Sequence, residues 1–398
     1  MNITGIIAEY NPFHNGHAYQ LARARALTGA DYIIVVMSGD YVQRGTPAIL
    51  EKHLRARLAL ENGADLVLEL PVRYSTASAM DFSSGAVYIL DALNAVTHLC
   101  FGSESGDLDL LATAAEILEQ EPEEYRTTLQ TFLKQGASYP AARQKAFESC
   151  LTSRRSDLPD GLLKSPNNIL AIEYLRALLR LKSPIQPVTV TRTSDNYHSG
   201  ILEHTYASAT AVRRAMMENS LETAAGYVPE NVFAALDEAV RSNSLLTEDD
   251  FSLPLKYQLL QSTPETLTGW LDVPESLANR IHRRLNEYTG FSQFAELLKT
   301  RETTRTRINR SLLHILLQLD RTPRPMEYLR ILGFRKSSAP LLTHLKQQTA
   351  LPLVTSLKKM PSSAAREDLF ASNLYHSALA CRTQIPQPEE RSVPVEII

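Results

Sequence analysis

Short apolar runs alternate with stretches of helical spacing along the first hundred residues of the chain. The runs begin at residues 3, 31, 64 and 96 and read ITGIIA, DYIIVVMS, ADLVLELP and VTHLCFG. Runs that are apolar on both faces are typical of a parallel sheet that helices cover on both sides. A further run, IQPVTVTRT from residue 185, predicts a fifth strand. The pattern therefore predicts an α/β fold with a doubly wound, Rossmann-like parallel sheet, whose strand-end loops share the edge where such sheets bind ligands.

The pattern changes near residue 217, where strand-like runs fade and helical spacing dominates. We therefore predict a ligand-binding domain over residues 1–217 and a mostly α-helical C-terminal domain over residues 218–385. Residues 386–398 are rich in proline and charge, which predicts a loosely held tail.

The composition, 44% hydrophobic and 21% charged residues in a chain of 398, suits a folded globular protein of two domains. Cys100, Cys150 and Cys381 are far apart and odd in number, so neither a disulfide framework nor a zinc cluster is predicted. No segment approaches the roughly 18 uncharged apolar residues of a membrane span. We therefore expect a cytoplasmic protein with no membrane partner.

The segment IIAEYNPFHNGHAYQ, from residue 6, places two histidines where the first strand gives way to a helix. The free amides at the start of that helix would form an anion site, and Gly16 would let a ligand approach the backbone closely. His14 and His17 are three positions apart, so both imidazoles are able to face one phosphate. For an isolated pair the alternative is a helix cap beside a solvated histidine. The pair lacks the i, i+4 spacing and the carboxylate of helical zinc sites, so no metal site is predicted.

Two motifs resemble the signatures of the nucleotidyltransferase superfamily. NPFHNGH after the first strand resembles its HxGH motif, and SATAVR from residue 208 resembles its second motif, of the type Ser-Ser-Thr-x-x-Arg. Ser208, Thr210 and Arg213 keep the hydroxyls and the guanidinium of the second motif, while Ala209 replaces a serine. Hydroxyls at a helix start and a bidentate cation suit a leaving pyrophosphate. For this segment alone, the alternative is an ordinary helix cap with a surface arginine.

A longer series of segments resembles the tRNA(Met) cytidine acetate ligase family throughout the first domain. In chain order they are GIIAEYNPFHNGH, SGDYVQRGTPAILEKHLRARLALENGADLVLELP, FGSES, SPNNILAIEYLRAL and SATAVRRAM. The chain departs from the family pattern at Asp40, where asparagine is common, and at Thr46, where an acidic residue is common.

The resemblance implies that the first domain is an ATP-binding catalytic domain with a nucleotidyltransferase fold. Enzymes of this family activate acetate with ATP to acetyl-adenylate, release pyrophosphate, and transfer the acetyl group to N4 of the wobble cytidine of elongator tRNA(Met), forming N4-acetylcytidine. ATP as substrate, Mg²⁺, acetate and this tRNA are therefore the expected ligands and partners. No loop of the kind that binds the coenzyme A pyrophosphate is recognisable, so we expect no coenzyme A.

The resemblance also implies which residues form the sites. The expected ATP-binding residues are Ile7, Ala8, Glu9, Tyr10, Asn11, Pro12, Phe13, His14, Asn15, Gly16, His17, Ala18, Tyr19, Gln20, Gly102, Asn167 and Arg192. The expected catalytic residues are His14, His17, Asp40, Ser208, Thr210 and Arg213. Asp40 is expected to orient the acceptor amine. For Gly102, Asn167 and Arg192 the alternatives are an ordinary turn, a helix cap and a solvated strand end.

Positive charge is concentrated in the second domain. Residues 281–336 carry twelve Lys or Arg against five Asp or Glu, although the whole chain has a net charge of −3. Such a segment suits a phosphate backbone, and a basic solvated face over a helical core is the alternative. The predicted RNA-binding residues are Arg44, Lys52, Arg301, Arg305, Arg307, Arg310, Arg335 and Lys336.

Two other functions stay open at this point. One is a small-molecule adenylyltransferase that uses the same site, which the additional basic helical domain argues against. The other is a non-catalytic nucleotide- or RNA-binding protein, which the intact HxGH histidines and Arg213 argue against.

Overall fold

The structure is a computed structural model that describes residues 1–155, 162–192, 208–218, 221–360 and 365–398. Its strands are β1 Ile3–Ala8, β2 Tyr32–Ser38, β3 Tyr41–Val42, β4 Thr46–Pro47, β5 Leu66–Leu70, β6 His98–Ser103, β7 Gln186–Thr191, β8 Leu329–Phe334, β9 Leu353–Val354 and β10 Glu396–Ile397. Its helices in the first half of the chain are α1 Asn15–Thr28, α2 Lys52–Glu61, α3 Val72–Ser75, α4 Ala79–Ala92, α5 Leu108–Gln120, α6 Glu123–Lys134, α7 Tyr139–Arg154, α8 Pro166–Leu181 and α9 Ala209–Glu218. The helices that follow are α10 Glu230–Arg241, α11 Ser252–Leu260, α12 Pro264–Leu267, α13 Glu275–Arg284, α14 Phe291–Leu298, α15 Arg305–Leu316, α16 Ala339–Gln348 and α17 Arg366–Thr383.

The five predicted strands form the parallel part of the main sheet, in the order β5-β2-β1-β6-β7. Strands β2 and β5 lie on one side of β1, and β6 and β7 lie on the other, so the strand order reverses at β1. In doubly wound sheets, ligands bind in the crevice outside the carboxyl ends of the strands at such a reversal. The predicted α/β fold is confirmed, and it places the HxGH segment at this crevice.

Strand β2 illustrates why the apolar runs become central strands. Ile34 and Val36 belong to the core on one face of the sheet, while Ile33 and Val35 belong to the core on the other face. The first core includes residues of α4, α5 and α8, and the second includes residues of α1, α2 and α10. Because successive side chains of a strand point to opposite faces, a run without polar residues requires apolar cover on both.

The C-terminal part of the chain is helical around a third core, formed by residues of α11, α13, α14, α15 and α17. It also extends the sheet, because β8 pairs antiparallel with β5 and parallel with both β9 and β10.

The predicted domain boundary at residue 217 stays a prediction. The expectation of a loosely held tail is wrong, since β10 joins the sheet and the side chain of Glu390 is fully buried in an ion pair with Lys52. Within the described residues, no helix is long and apolar enough to cross a membrane.

Candidate active site

The loop after β1 is anchored by aromatic side chains. Tyr10 and Phe13 are each 1% exposed, and the Tyr10 ring centroid lies 4.8 Å from that of Phe13 and 4.9 Å from that of His17. Asn11 fastens the loop to the chain after β2, because its Oδ1 accepts a hydrogen bond from the Ile49 N–H at 2.9 Å. His14 then precedes α1 with extended backbone angles, so the histidine pair spans the helix start, as the sequence predicts.

The two histidine rings are stacked, with centroids 3.6 Å apart and planes at 21°. The His14 N–H donates to His17 Nδ1 at 3.2 Å, so the proton of a neutral His17 ring lies on Nε2. His14 Nδ1 is buried without a hydrogen-bond partner among the described residues. A Cβ atom on Gly16 would lie 2.9 Å from His14 Cε1, so only glycine leaves the ring in this position. The ring stacking and the absence of a side chain on Gly16 therefore fix both imidazoles at the start of α1.

Both histidines are held neutral. Burial, followed by the charges of Arg192 and Arg213, lowers the pKa of His14 to about 3. Burial, His14 and Arg192 lower the pKa of His17 well below its ordinary value. A neutral imidazole carries one N–H, so His17 is able to donate one hydrogen bond from Nε2 to an anionic oxygen.

The second signature is brought to the HxGH loop by α9. The Ser208 hydroxyl accepts a hydrogen bond from the Ala211 N–H at 3.2 Å, which caps the helix. Arg213 donates from Nη2 to Thr210 Oγ1 at 3.2 Å and from Nη1 to the carbonyl oxygen of Asn11. The two predicted signatures therefore meet through Arg213, although they are about two hundred residues apart in the chain.

The opposite wall of the crevice follows β6 and β7. A Cβ atom on Gly102 would lie 3.1 Å from Cγ and Cδ of Arg192, so glycine lets the arginine lie across the end of β6. Arg192 Nη1 donates to Asn167 Oδ1 at 3.4 Å, and Asn167 Nδ2 donates to Glu104 Oε1 at 2.7 Å. Glu104 also accepts from the Asn168 N–H at 2.7 Å and so caps α8. We did not predict Glu104, although its position after a predicted strand end in FGSES was a usable signal.

These elements enclose a cavity of about 350 Å³ at the carboxyl edge of the sheet. The predicted ATP-binding residues that line it are Ile7, Ala8, Glu9, Tyr10, Asn11, His17, Gln20, Gly102, Asn167 and Arg192. The further lining residues, which we did not predict for the ATP site, are Gln43, Arg44, Ala79, Phe82, Phe101, Pro166, Ile169, Leu170, Tyr174 and Ala209. Most of this second set is apolar, and apolar residues carry no chemical signal in the sequence that separates a cavity wall from a core.

The remaining predicted ATP-binding residues support the loop without lining the cavity. They are Pro12, Phe13, His14, Asn15, Gly16, Ala18 and Tyr19. His14 is 2% exposed and stacks beneath His17. Asn15 Nδ2 donates to the Gly226 carbonyl oxygen at 3.0 Å and so holds the helix start against the chain after α9.

Asp40 does not occupy the position that the sequence predicts for it. Its side chain is fully buried, Oδ1 accepts from the Lys52 N–H at 2.9 Å, and Oδ2 accepts from the Ser372 hydroxyl at 2.7 Å. Asp40 is not among the residues that line the cavity. The predicted contact with the acceptor amine is therefore wrong, because both carboxylate oxygens already have partners within the protein.

Lys52 is likewise wrong as an RNA contact. Its side chain is 0% exposed and its Nζ lies 2.6 Å from Glu69 Oε1 and 3.0 Å from Glu390 Oε1. A phosphate backbone has no access to this amine. No local pattern indicates this burial, because Glu390 lies far along the chain from Lys52.

The other predicted RNA-binding residues differ in exposure. Arg44 lines the cavity. Arg310 is partly buried and pairs with Asp272 at 3.0 Å, and Arg335 donates to the Leu60 carbonyl oxygen at 2.9 Å, at the end of α2. The exposed members of the set are Arg301, Arg305, Arg307 and Lys336.

Arg55 is a buried residue of the site region that sequence reasoning missed. It is 1% exposed, and its guanidinium donates to the carbonyl oxygens of Glu9 at 2.6 Å, Ser38 at 3.1 Å and Leu50 at 2.9 Å. It therefore fixes the ends of β1 and β2 relative to each other. In the sequence, Arg55 is one of several basic residues in α2 and has no distinguishing pattern.

A parallel sheet that reverses at β1, a neutral histidine pair at a helix start and an arginine from a second motif define a nucleotidyltransferase site. Residues 1–390 match a family model described as HIGH Nucleotidyl Transferase. The chain belongs to this family.

The similarity to individual proteins is more specific. The chain is 40% identical over 386 residues to the tRNA(Met) cytidine acetate ligase of Clostridium kluyveri, covering 94% of each chain. It is 38% identical over 384 residues to that of Clostridium tetani, covering 94% of this chain and 95% of the relative. A solved structure, Thermotoga maritima TmcAL bound with alpha-thio ATP, matches with a TM-score of 0.90 and 31% identity over 100% of both chains. The chain therefore belongs to the tRNA(Met) cytidine acetate ligase family, which confirms the resemblance of the motifs.

Proposed function

We propose that this chain is an ATP-dependent tRNA(Met) cytidine acetate ligase that acts in the cytoplasm. The observation that carries the proposal is the stacked, neutral histidine pair beside a cavity of about 350 Å³, in a chain whose relatives bear this name. A neutral His17 donor on the wall of this cavity, with Arg192 nearby, suits a nucleoside triphosphate better than a purely structural role.

The first step joins acetate to the adenylyl group. A carboxylate oxygen of acetate attacks the α-phosphorus of ATP, the bond to the β-phosphate oxygen breaks, and pyrophosphate leaves with the electron pair. His17 Nε2–H donates to an α-phosphate oxygen, where negative charge builds up. Arg192, on the cavity wall, and Arg213, bound to the loop, supply positive charge around the phosphates. Most of the acceleration then comes from alignment and fixed charge.

Mg²⁺ would bind at this site together with the nucleotide, mainly through the phosphate oxygens. Within the described ranges, no group of three or more His, Cys, Asp or Glu side chains is arranged to hold a metal ion. On the nucleotide side, the cavity wall offers the side-chain oxygens of Asn11 and Gln20. Magnesium in nucleotide sites is held mainly by phosphates and water, and it would neutralise part of the triphosphate charge.

The second step transfers the acetyl group to N4 of a cytidine in elongator tRNA(Met). The exposed basic residues of the C-terminal part, among them Arg301, Arg305 and Lys336, would hold the RNA backbone. Arg44 lies at the cavity itself and would contact RNA or the phosphates there. Acetate is the proposed acyl source, without coenzyme A, because the cavity is built around groups that stabilise attack on a phosphate.

The test is transfer of labelled acetate into RNA. Purified protein is incubated with ATP, Mg²⁺, radiolabelled acetate and unmodified elongator tRNA(Met), and the nucleosides are identified after digestion. We expect label in N4-acetylcytidine, and none when ATP is omitted or when labelled acetyl-CoA replaces acetate. Label in acetyl-adenylate but not in RNA would contradict the tRNA assignment, and absence of both products would contradict acetate as substrate.

A further inference from the structure

The residues that line the cavity come from two sides of strand β1. Gly102, Asn167 and Arg192 approach it from beyond β6 and β7, whereas Gln43 and Arg44 approach it from beyond β2. The β1 loop with its histidines lies between them, because β1 separates β2 from β6 in the sheet. If the nucleotide occupies the part of the cavity between His17 and Arg192, the part beyond β2 is left for the acceptor that attacks the acetyl-adenylate.

Glu9 stands at the boundary, immediately after β1, and lines the cavity. Its Oε1 accepts a hydrogen bond from the Gln43 N–H at 2.8 Å, so the carboxylate is held on the side of the β2 loop. Its carbonyl oxygen is fixed by Arg55 at 2.6 Å. Within the described part of the chain, Oε2 makes no hydrogen bond, which leaves one oxygen of a positioned carboxylate for a ligand.

The loop that holds Glu9 also reaches the basic helix α15. Gln43 and Arg44 lie in the turn between β3 and β4, and Gly45 of that turn has a φ of +75°. A Cβ atom on Gly45 would lie 2.6 Å from the carbonyl carbon of Asn309, so the turn packs directly on the α15 backbone. The turn that brings Gln43 and Arg44 to the cavity is therefore in contact with the helix whose first residues include the exposed Arg305 and Arg307. RNA that is bound on α15 would approach the cavity from the Glu9 side.

We propose that Glu9 binds the exocyclic amine of the acceptor cytidine and removes its proton during acetyl transfer; this inference rests on the function proposed above. The N4 lone pair attacks the carbonyl carbon of acetyl-adenylate, the bond from that carbon to the phosphate oxygen breaks, and AMP leaves with the electron pair. N4 becomes positively charged as the new C–N bond forms and loses one proton to Glu9 Oε2. The cytosine amine is a weak nucleophile, because its lone pair is delocalised into the ring, so a positioned base has a large effect. Glu9 thus takes the role that the sequence wrongly assigns to Asp40.

The test separates the two chemical steps in the variant Glu9→Gln, whose amide oxygen keeps the hydrogen bond from Gln43. Adenylate formation is measured in the absence of tRNA as hydroxylamine-trapped acetyl groups. Transfer is measured in a single turnover from synthetic acetyl-adenylate to elongator tRNA(Met). We expect transfer to be slowed by about 100-fold or more, and adenylate formation to be slowed by a much smaller factor. Glu9→Asp should recover part of the transfer rate.

Glu104→Gln serves as the matched change on the nucleotide side. It replaces one of the two carboxylate oxygens, which accept from Asn167 Nδ2 and from the Asn168 N–H, with an amide nitrogen, so one of these hydrogen bonds is lost. The change should raise the KM for ATP in adenylate formation and leave transfer from acetyl-adenylate less affected. Equal losses of both steps in Glu9→Gln would contradict the inference and indicate a role in nucleotide or Mg²⁺ binding. An unchanged transfer rate would contradict it as well. Failure of the wild-type protein to transfer at all would overturn the proposed function, and this inference with it.

Discussion

Two groups of buried polar side chains lie near the carboxyl edge of the sheet, and they differ in how their charges are matched. The histidine pair is neutral, and His17 lines the cavity. The second group, which we call the charge cluster, contains opposite charges in direct contact. Its members are Asp40, Lys52, Glu69, Arg330 and Glu390.

The two groups have different purposes. In the charge cluster, burial opposes the charge of Lys52, but Glu390, Glu69 and Asp40 raise the pKa of Lys52 above its ordinary value. Burial likewise opposes the charge of Glu390, yet Lys52 and its neighbours lower the pKa of Glu390. The charges of the cluster are paired with one another away from the cavity wall, so the cluster joins distant parts of the chain. The histidine pair carries no charge, and His17 lines the cavity, where its ring is accessible to a ligand.

The largest expected effect comes from breaking the charge cluster. Lys52→Met removes the ion pair of Asp40 and leaves Glu69 and Glu390 paired with Arg330, and we expect the free energy of unfolding to fall by about 3 to 5 kcal/mol. Urea unfolding measures the loss. Arg57→Met on the same helix is the control, because its side chain is 56% exposed in a pair with Glu61 and should cost at most about 1 kcal/mol. Equal losses in both variants would show that the cluster is not a stabilising unit.

His17→Ala should act on chemistry and not on folding. We expect adenylate formation to fall by at least about 100-fold, because the ring that donates to the α-phosphate is lost, while the midpoint of thermal unfolding stays near the wild-type value. Single-turnover formation of acetyl-adenylate measures the rate. His344→Ala on α16, which is not among the residues lining the cavity, is the control and should keep the wild-type rate. Wild-type activity in a folded His17→Ala protein would remove the phosphate role.

The buried histidines should also make stability depend on pH. The pKa of His14 is about 3 in the folded protein and has an ordinary value of 6.5, so below pH 6.5 the unfolded chain binds a proton that the folded chain does not. Stability from this group is complete above pH 6.5 and declines towards pH 3, by about 1.4 kcal/mol per pH unit. Wild-type protein should therefore lose about 1.4 kcal/mol more than His14→Gln between pH 7.5 and pH 5.5 in urea unfolding. An identical pH dependence of both proteins would contradict the neutral, buried state of His14.

The smallest effect concerns the basic helix α15. Arg307 is exposed, whereas Arg310 is partly buried and paired with Asp272 at 3.0 Å. We expect Arg307→Ala to weaken tRNA binding and to reduce the salt slope of the dissociation constant by about 1, without a change in unfolding. Arg310→Ala should instead lower the unfolding midpoint. Titrations of tRNA binding at several salt concentrations measure both effects on binding. A salt slope that is unchanged in Arg307→Ala would contradict a contact between Arg307 and RNA.

The sequence predicted the parts of the fold and site that depend on local patterns. The apolar runs of β1, β2, β5 and β6 predict inner strands because their side chains are buried on both faces. Strand β7 is an edge strand with mostly half-buried side chains, and its β-branched residues predict it instead. The HxGH motif is also local, since its geometry requires a strand end, a glycine and a helix start within a few residues.

The errors involve partners that are distant in the chain. Strand β8 has a short apolar run, LRILGF, and becomes a sheet strand only because β5 offers a free edge for antiparallel pairing. In the sequence, Asp40 and Lys52 have the pattern of ordinary loop and helix residues. In the structure they are buried against Ser372 and Glu390, which lie more than three hundred residues away in the chain. Single-sequence reasoning is unable to assign such pairs, because a charged residue has the same local pattern whether it is solvated, bound to substrate or matched by a distant charge.

The most direct test of the central claim is acetate-dependent exchange of labelled pyrophosphate into ATP in the absence of tRNA. The histidine site after β1 predicts that the wild-type protein catalyses this exchange only with acetate. The exchange should be lost in His17→Ala and should persist in folded Lys52→Met at a permissive temperature. Absence of acetate-dependent exchange, or equal exchange by wild-type and His17→Ala proteins, would contradict the claim that the histidine pair activates acetate on ATP.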